Sequence, residues 1–269
     1  MGGYWDQVTP FVIPKADAFR APPPPNWSDP KYLDQAKRLG GDPNAQGPMR
    51  FPTKTDRMDG ETFTGIFWGY DGTPGLCAPP RLYNEVVVQI ALARGVADVD
   101  DMAQLLALVN VAMADAGISA WEAKYHYRIQ RPITAIRSTD PKWTPLGAPV
   151  SNGVATNFTP PFPAYPSGHA TFGGAVFQIL RNYFKLPDGT DSSFTFVSDE
   201  FNGENYAPGQ TQPRPRLPMS FASFKDAEYE NAQSRIYLGI HWQFDADEGI
   251  LQGHRVADHV FANAFQRVK

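Results

Sequence analysis

The sequence predicts a mainly α protein of about seven helices joined by long proline-rich loops. Three observations carry that reading. Apolar residues recur at helical spacing in long segments, most plainly over Leu82–Ala91, from Val99 onward and over Ala170–Phe184. These segments are bounded by Ser, Asp, Pro and Gly of the kinds that start and stop helices. Period-two alternation occurs only at Phe194-Thr195-Phe196-Val197, which predicts one small hairpin with the residues after Asn202-Gly203.

Taken in order, residues 1–27 are expected to be extended. Pro10, Pro14 and Pro22 to Pro25 favour polyproline II, and Trp5, Phe11, Phe19 and Trp27 are its anchors. Ser28-Asp29-Pro30 caps a short helix that Gly40-Gly41 stops. Residues 1–55 thus form an arm with one short helix, and residues 56–269 a helical-bundle domain. A second short helix leads into Phe63–Tyr70, and Asp71-Gly72-Thr73-Pro74-Gly75 is a turn. Pro79-Pro80 opens the third helix, which ends at Gly95. The longest helix is expected from Val99 to Arg131, where Pro132 ends it. Residues 138–166 are turn-rich. Ser167 caps a helix that stops near Lys185, before Pro187-Asp188-Gly189. Residues 210–218 are a loop. Ser223 with Asp226 starts a helix that Gly239 ends, and a last helix spans roughly Asp245–Val268.

Composition narrows the function. The chain has 269 residues, 42% hydrophobic and 19% charged, as expected of a soluble globular protein. A net charge of −4 gives no basic field for nucleic acid or an anionic membrane. The most apolar stretch, Leu105–Ala114, is broken by Asn110 and falls short of the roughly 18 residues of a membrane span. The first residues have neither the basic region nor the apolar core of a signal peptide. A single cysteine, Cys77, excludes an internal disulfide and a thiolate zinc site.

The chemistry gathers around Pro166-Ser167-Gly168-His169. A helix N-terminus there offers free N–H groups and a favourable dipole to an anion. On an unbroken helix, Lys124 and Arg131 stand two turns apart on one face, about 10 Å along the axis, with Trp121 and Arg128 beside them. In Ser234-Arg235-x3-Gly239-x-His241-x3-Asp245, a bend at Gly239 brings Arg235 and His241 toward one point, and Asp245 is placed to hold the ring. Each block alone has an ordinary structural explanation. Together they supply three cations, backbone donors and two histidines, a set suited to a tetrahedral oxyanion such as phosphate or its analogue vanadate.

These three blocks resemble, in order, the signature shared by vanadium-dependent haloperoxidases and type 2 phosphatidic acid phosphatases. Four further stretches are similar to vanadium chloroperoxidases: Phe67-Trp-Gly-Tyr-Asp71-Gly, Met113-Ala-Asp-Ala-Gly-Ile118, Pro160-Pro-Phe162-Pro-Ala-Tyr-Pro166 and Gly239-Ile-His-Trp-Gln-Phe-Asp245. The resemblance implies a vanadate cofactor, with hydrogen peroxide and halide as substrates and an organic acceptor for the oxidised halogen. It implies that His241 bonds vanadium and that Lys124, Arg131, Ser167, Gly168 and Arg235 bond the vanadate oxygens. His169 becomes the acid–base group, Asp71 orients an arginine, and Trp121 and Phe162 line the halide side. Bromide-selective relatives tend to have histidine at the position of Phe162. The family usually carries a further helical domain ahead of the matching part, so the aromatic arm is expected to dock on its own or another chain, and a homo-oligomer is expected. Two other readings stay open: a soluble acid phosphatase with a phosphohistidine at His241, and a non-catalytic anion-binding or assembly subunit.

Overall fold

The computed structural model of the chain describes residues 2–47, 50–186 and 192–266. The seven expected helices form: α1 (Pro30–Gly40), α2 (Asp59–Phe67), α3 (Pro79–Ala93), α4 (Val99–Tyr127), α6 (Gly168–Phe184), α7 (Phe224–Tyr237) and α8 (Gln243–Asn263). A five-residue helix, α5 (Pro132–Ile136), lies between α4 and α6. The starts follow the sequence chemistry. Asp29, Asp98, Ser167 and Ser223 each accept a main-chain N–H of the first turn. Such a cap is worth about 1 kcal/mol relative to alanine. Helix α8 ends at Asn263 rather than Val268, which lies outside the described residues, as do Pro187-Asp188-Gly189.

Two expectations are corrected. Helix α4 stops at Tyr127, four residues before Arg131. A residue before proline is sterically pushed out of helical geometry, and Arg131 is extended at φ −69°, ψ 154°. The chain leaves α4 through Arg128, left-handed at φ 52°, whose N–H bonds the Lys124 carbonyl. Lys124 and Arg131 therefore do not share a helical face. The second correction concerns the hairpin. Strand β1 (Phe194–Val197) pairs antiparallel with β2 (Pro218–Phe221), Phe194 opposite Phe221, and not with residues just past Asn202-Gly203. Asn202 instead closes a local turn, its side-chain oxygen accepting the N–H groups of Glu204 and Asn205.

Helices α6 and α8 pack at very short range because glycines face the partner backbone. A Cβ at Gly174 would lie 2.6 Å from the Ile250 carbonyl oxygen, and one at Gly253 2.4 Å from that of Thr171. Around this pair, α3 and α4 build the main core from residues such as Tyr83, Val86, Leu108, Ala112 and Val176. By length and composition the stretch Val99–Ile136, which contains α4, is apolar enough to cross a membrane, but half of its most apolar window is buried inside the bundle. A second cluster joins Trp143, Tyr165, Trp242 and Phe244 to Trp27 and Tyr32.

The arm lies on its own chain. Trp27 stacks on Trp242 at 5.9 Å, Phe19 meets His259 at 5.3 Å, and Tyr127 and Tyr165 donate to the carbonyls of Ala21 and Pro22. Phe19 and Trp27 are thus used within the chain, so they give no ground for a homo-oligomer.

Candidate anion site

Four segments bring the chemistry together: the loop after α2, the link from α4 to α5, the start of α6, and the turn from α7 to α8. That last turn is set by Gly239. At φ +69° it takes a conformation that L side chains avoid, and a Cβ there would lie 2.5 Å from the Gly40 carbonyl oxygen. The turn places Arg235, in the last turn of α7, and His241, just before α8, on one cavity. Asp71, Trp121, Arg131, Phe162, Gly168 and His169 line the same cavity, whose volume is about 880 Å³. Eight of the ten residues singled out from sequence thus meet.

Lys124 and Ser167 do not line it. The Lys124 ammonium, fully buried, donates to the carbonyls of Pro163 (3.0 Å), Ala164 (2.8 Å) and Pro166. An ammonium has three hydrogens, and three acceptors take them all. Burial and then Arg131 push the Lys124 pKa well down, and Asp245 opposes them. The three carbonyls require the full ammonium. Lys124 therefore clamps the Pro163–Pro166 segment rather than reaching the cavity. Ser167 is also fully buried; its hydroxyl caps α6 on Ala170 N–H, and its own N–H bonds the Asp245 carbonyl at 2.8 Å.

His241 is held at both ring nitrogens. Nδ1 bonds Asp245 Oδ2 at 2.8 Å, and Nε2 meets Arg131 Nη1 at 2.9 Å. An ionised Asp245 accepts a hydrogen bond from Nδ1–H, so Nε2 carries the lone pair and the guanidinium donates to it. The same carboxylate caps α8 through Trp242 N–H at 2.9 Å. Burial lowers the His241 pKa well below the ordinary imidazole value, and Arg131, Lys124 and Arg235 add to the effect. Burial raises Asp245 to about 7. His169 is likewise pushed well down, by burial and then by Arg235, while a main-chain hydrogen bond to Trp68 pulls the other way. Both imidazoles are therefore neutral near pH 7.

Arg131 also donates to the carbonyls of Phe162 (2.9 Å) and Ile240 (2.8 Å), and burial lowers its pKa to about 9. Arg235 gives one N–H to Asp71 at 2.6 Å. Asp71 is raised by burial, against the pull of Arg235 and Arg131. Sequence reasoning did not find Tyr83 and Asn231, which bond the His169 carbonyl at 2.8 and 3.4 Å. Nothing in their local sequence distinguishes them from core residues of α3 and α7.

The unpaired atoms define what the site takes. Among the described residues, Arg131 Nη2, Arg235 Nε and Nη1, and His169 Nε2 are buried without a hydrogen-bond partner. Leaving the guanidinium donors of Arg131 and Arg235 unmet costs about 1–3 kcal/mol each, more because they are charged. An oxyanion supplies several acceptor oxygens at once, so the donor set fits vanadate or phosphate. The structure thus shows a helical-bundle protein with a cavity lined by two buried guanidinium groups and two neutral histidines.

Comparison with known proteins agrees. The family model described as the VCPO second helical-bundle domain matches residues 104–269. The chain is 37% identical to the vanadium chloroperoxidase of Curvularia inaequalis over 280 residues, covering 90% of this chain and 46% of that protein. It thus spans about half the length of this relative. A bacterial vanadium-dependent iodoperoxidase structure superimposes with a TM-score of 0.72 at 27% identity, covering 98% of this chain and 57% of its own. The apo form of a bacterial vanadium-dependent chloroperoxidase shares the fold, with a TM-score of 0.70 at 18% identity, covering 97% of this chain and 55% of its own. The chain belongs to the vanadium chloroperoxidase family.

Proposed function

We propose that this chain binds vanadate and oxidises halide with hydrogen peroxide to hypohalous acid. The observation that carries this reading is the group of unpaired guanidinium N–H groups beside two neutral histidines in one cavity. The overall reaction is H2O2 + X⁻ + H⁺ → HOX + H2O. Arg131 and Arg235 would hold the oxyanion through their free N–H groups, with the Gly168 main chain at the start of α6 beside them. His241 would offer Nε2 to vanadium, releasing its present hydrogen bond to Arg131. Bound there, vanadate supplies Lewis-acid activation of hydrogen peroxide without a change in oxidation state. His169, neutral and unpaired at Nε2, is suited to take a proton from incoming peroxide and return it to the departing water. Trp121 and Phe162, with ring centroids 5.1 Å apart, form an apolar wall where a halide sheds water. Lys124 acts by fixing the segment that presents Gly168 and His169.

Phosphate fits the same donors, so the test must separate the chemistries. The expected result is stoichiometric vanadium on the purified chain and peroxide-dependent bromination of a dye. Vanadate binding with hydrolysis of p-nitrophenyl phosphate but no bromination would make the chain a phosphatase. Binding with neither activity would make it a non-catalytic anion binder.

A further inference from the structure

The cavity lining extends beyond the anion-site residues and changes in chemistry there. Its charged and imidazole groups are Asp71, Arg131, Arg235, His169 and His241. The rest of the lining includes Trp5, Val8 and Phe11 of the arm, together with Met113, Trp121 and Phe172. The amide in that lining, Asn110, is already paired with Asn84 at 2.8 Å and with the Leu106 carbonyl.

The arm is fastened there rather than resting loosely. Asp115, fully buried on α4, accepts the main-chain N–H groups of Phe11 (2.7 Å), Val12 (2.8 Å) and Ile13 (2.9 Å). At its other end Gly2, at φ +78°, packs so closely on Trp121 that a Cβ would lie 2.4 Å from the indole nitrogen. Between these two points Trp5 and Phe11 stay largely exposed. Rigid aromatic rings held open over a preformed apolar chamber are the ordinary makings of a small-molecule site, and about 880 Å³ is within the range that takes drug-sized ligands.

We propose that this chamber binds a neutral aromatic molecule and holds it above the anion site as the halogen acceptor. The acceptor role rests on the haloperoxidase reading. Outside the anion-site residues, the described lining offers a charged acceptor no charged partner, whereas a ring finds Trp5, Phe11, Trp121 and Phe172. In the transfer, a ring carbon gives an electron pair to the halogen of hypohalous acid and the O–X bond breaks. The displaced hydroxide leaves with the ring proton as water. Carbon is oxidised and the halogen is reduced to the halide level, so no further oxidant is needed. Halogenation then takes place on a bound molecule and saturates with acceptor.

Two binding measurements on the same preparations test this: equilibrium dialysis with 2-naphthol in the absence of vanadate, and calorimetric titration with inorganic vanadate. They are made on the unaltered chain, Trp5→Ala and Ala114→Trp, a filler on the cavity wall. Loss of the Trp5 ring is expected to weaken 2-naphthol about tenfold, and the filler to abolish its binding, while vanadate affinity stays within about twofold in both. Unchanged vanadate binding also shows that the variants fold. If the unaltered chain does not bind 2-naphthol, or if all three proteins bind it equally, the chamber is not its site. Failure of the haloperoxidase reading shows separately, as absent vanadate binding or absent peroxide-dependent bromination by the unaltered chain.

Discussion

Arg131 Nη1 donates to His241 Nε2 at 2.9 Å while Asp245 holds Nδ1 of the same ring at 2.8 Å. The imidazole is thereby fixed in tautomer and orientation before any anion arrives. Groups that orient a metal-ligating histidine typically contribute 10–100-fold in metal affinity. Asp245→Asn keeps the volume but removes the charge that fixes the tautomer. Vanadate affinity, measured by calorimetry, is expected to fall within that range. Unchanged affinity would mean that Asp245 serves only to cap α8.

The pairing of Arg235 with Asp71 predicts a stability effect that an anion reverses. Asp71→Ala leaves a buried guanidinium without its counter-charge, which costs about 3–5 kcal/mol. The loss should appear as a lower urea midpoint in anion-free buffer. Vanadate at about 100 times its dissociation constant should restore roughly 2.7 kcal/mol. A urea midpoint of Asp71→Ala that vanadate leaves unmoved would show that the unpaired Arg235 does not take the anion.

The lowered His169 pKa fixes the sign of a pH effect. In the unfolded chain His169 takes up a proton near the ordinary imidazole value of 6.5, whereas the folded protein stays neutral to lower pH. The unfolded state then binds more protons, so its contribution to stability is complete above about pH 6.5 and is lost as pH falls. His169→Gln should flatten the acid side of the stability profile by up to about 1.4 kcal/mol per pH unit. Urea midpoints between pH 5 and 7 read this directly. Parallel profiles for variant and parent would show that His169 protonates equally in both states.

Gly239 sets the angle between Arg235 and His241, so its replacement should be felt in the fold first. Left-handed geometry costs an alanine roughly 1–2 kcal/mol. Overlap with the Gly40 carbonyl adds to that, for about 2–4 kcal/mol in total. A thermal melt of Gly239→Ala should fall accordingly; an unshifted melt would show that the Gly40 segment yields easily.

These residues also show what could be read from the chain. Caps and punctuation placed the helices because Asp29, Ser167 and Ser223 act within a few residues of themselves. The cavity residues Asp71, Arg131, His169, Arg235 and His241 were legible because each lies in a short block of distinctive spacing. Lys124 was misread for the same reason: the block shows an ammonium near the site, but which acceptors reach it depends on a segment some 40 residues away. The end of α4 was misplaced because apolar periodicity was followed through Arg128 to the proline. The β1 partner was misplaced because Asn202-Gly203 is a hairpin signal, and here an Asx turn used it. The arm's place on the cavity depends on Asp115, whose buried carboxylate looks, in sequence, like any exposed helical aspartate.

The proposed chemistry turns on a division of labour between His241 and His169. Vanadate titrated into the purified parent chain, His241→Ala and His169→Ala decides it. Tight binding is expected to the parent chain and none at ordinary concentrations to His241→Ala. His169→Ala should bind vanadate more weakly than the parent, and its peroxide-dependent halogenation should fall about 100- to 10,000-fold. Tight vanadate binding by His241→Ala together with its loss in His169→Ala would contradict the account.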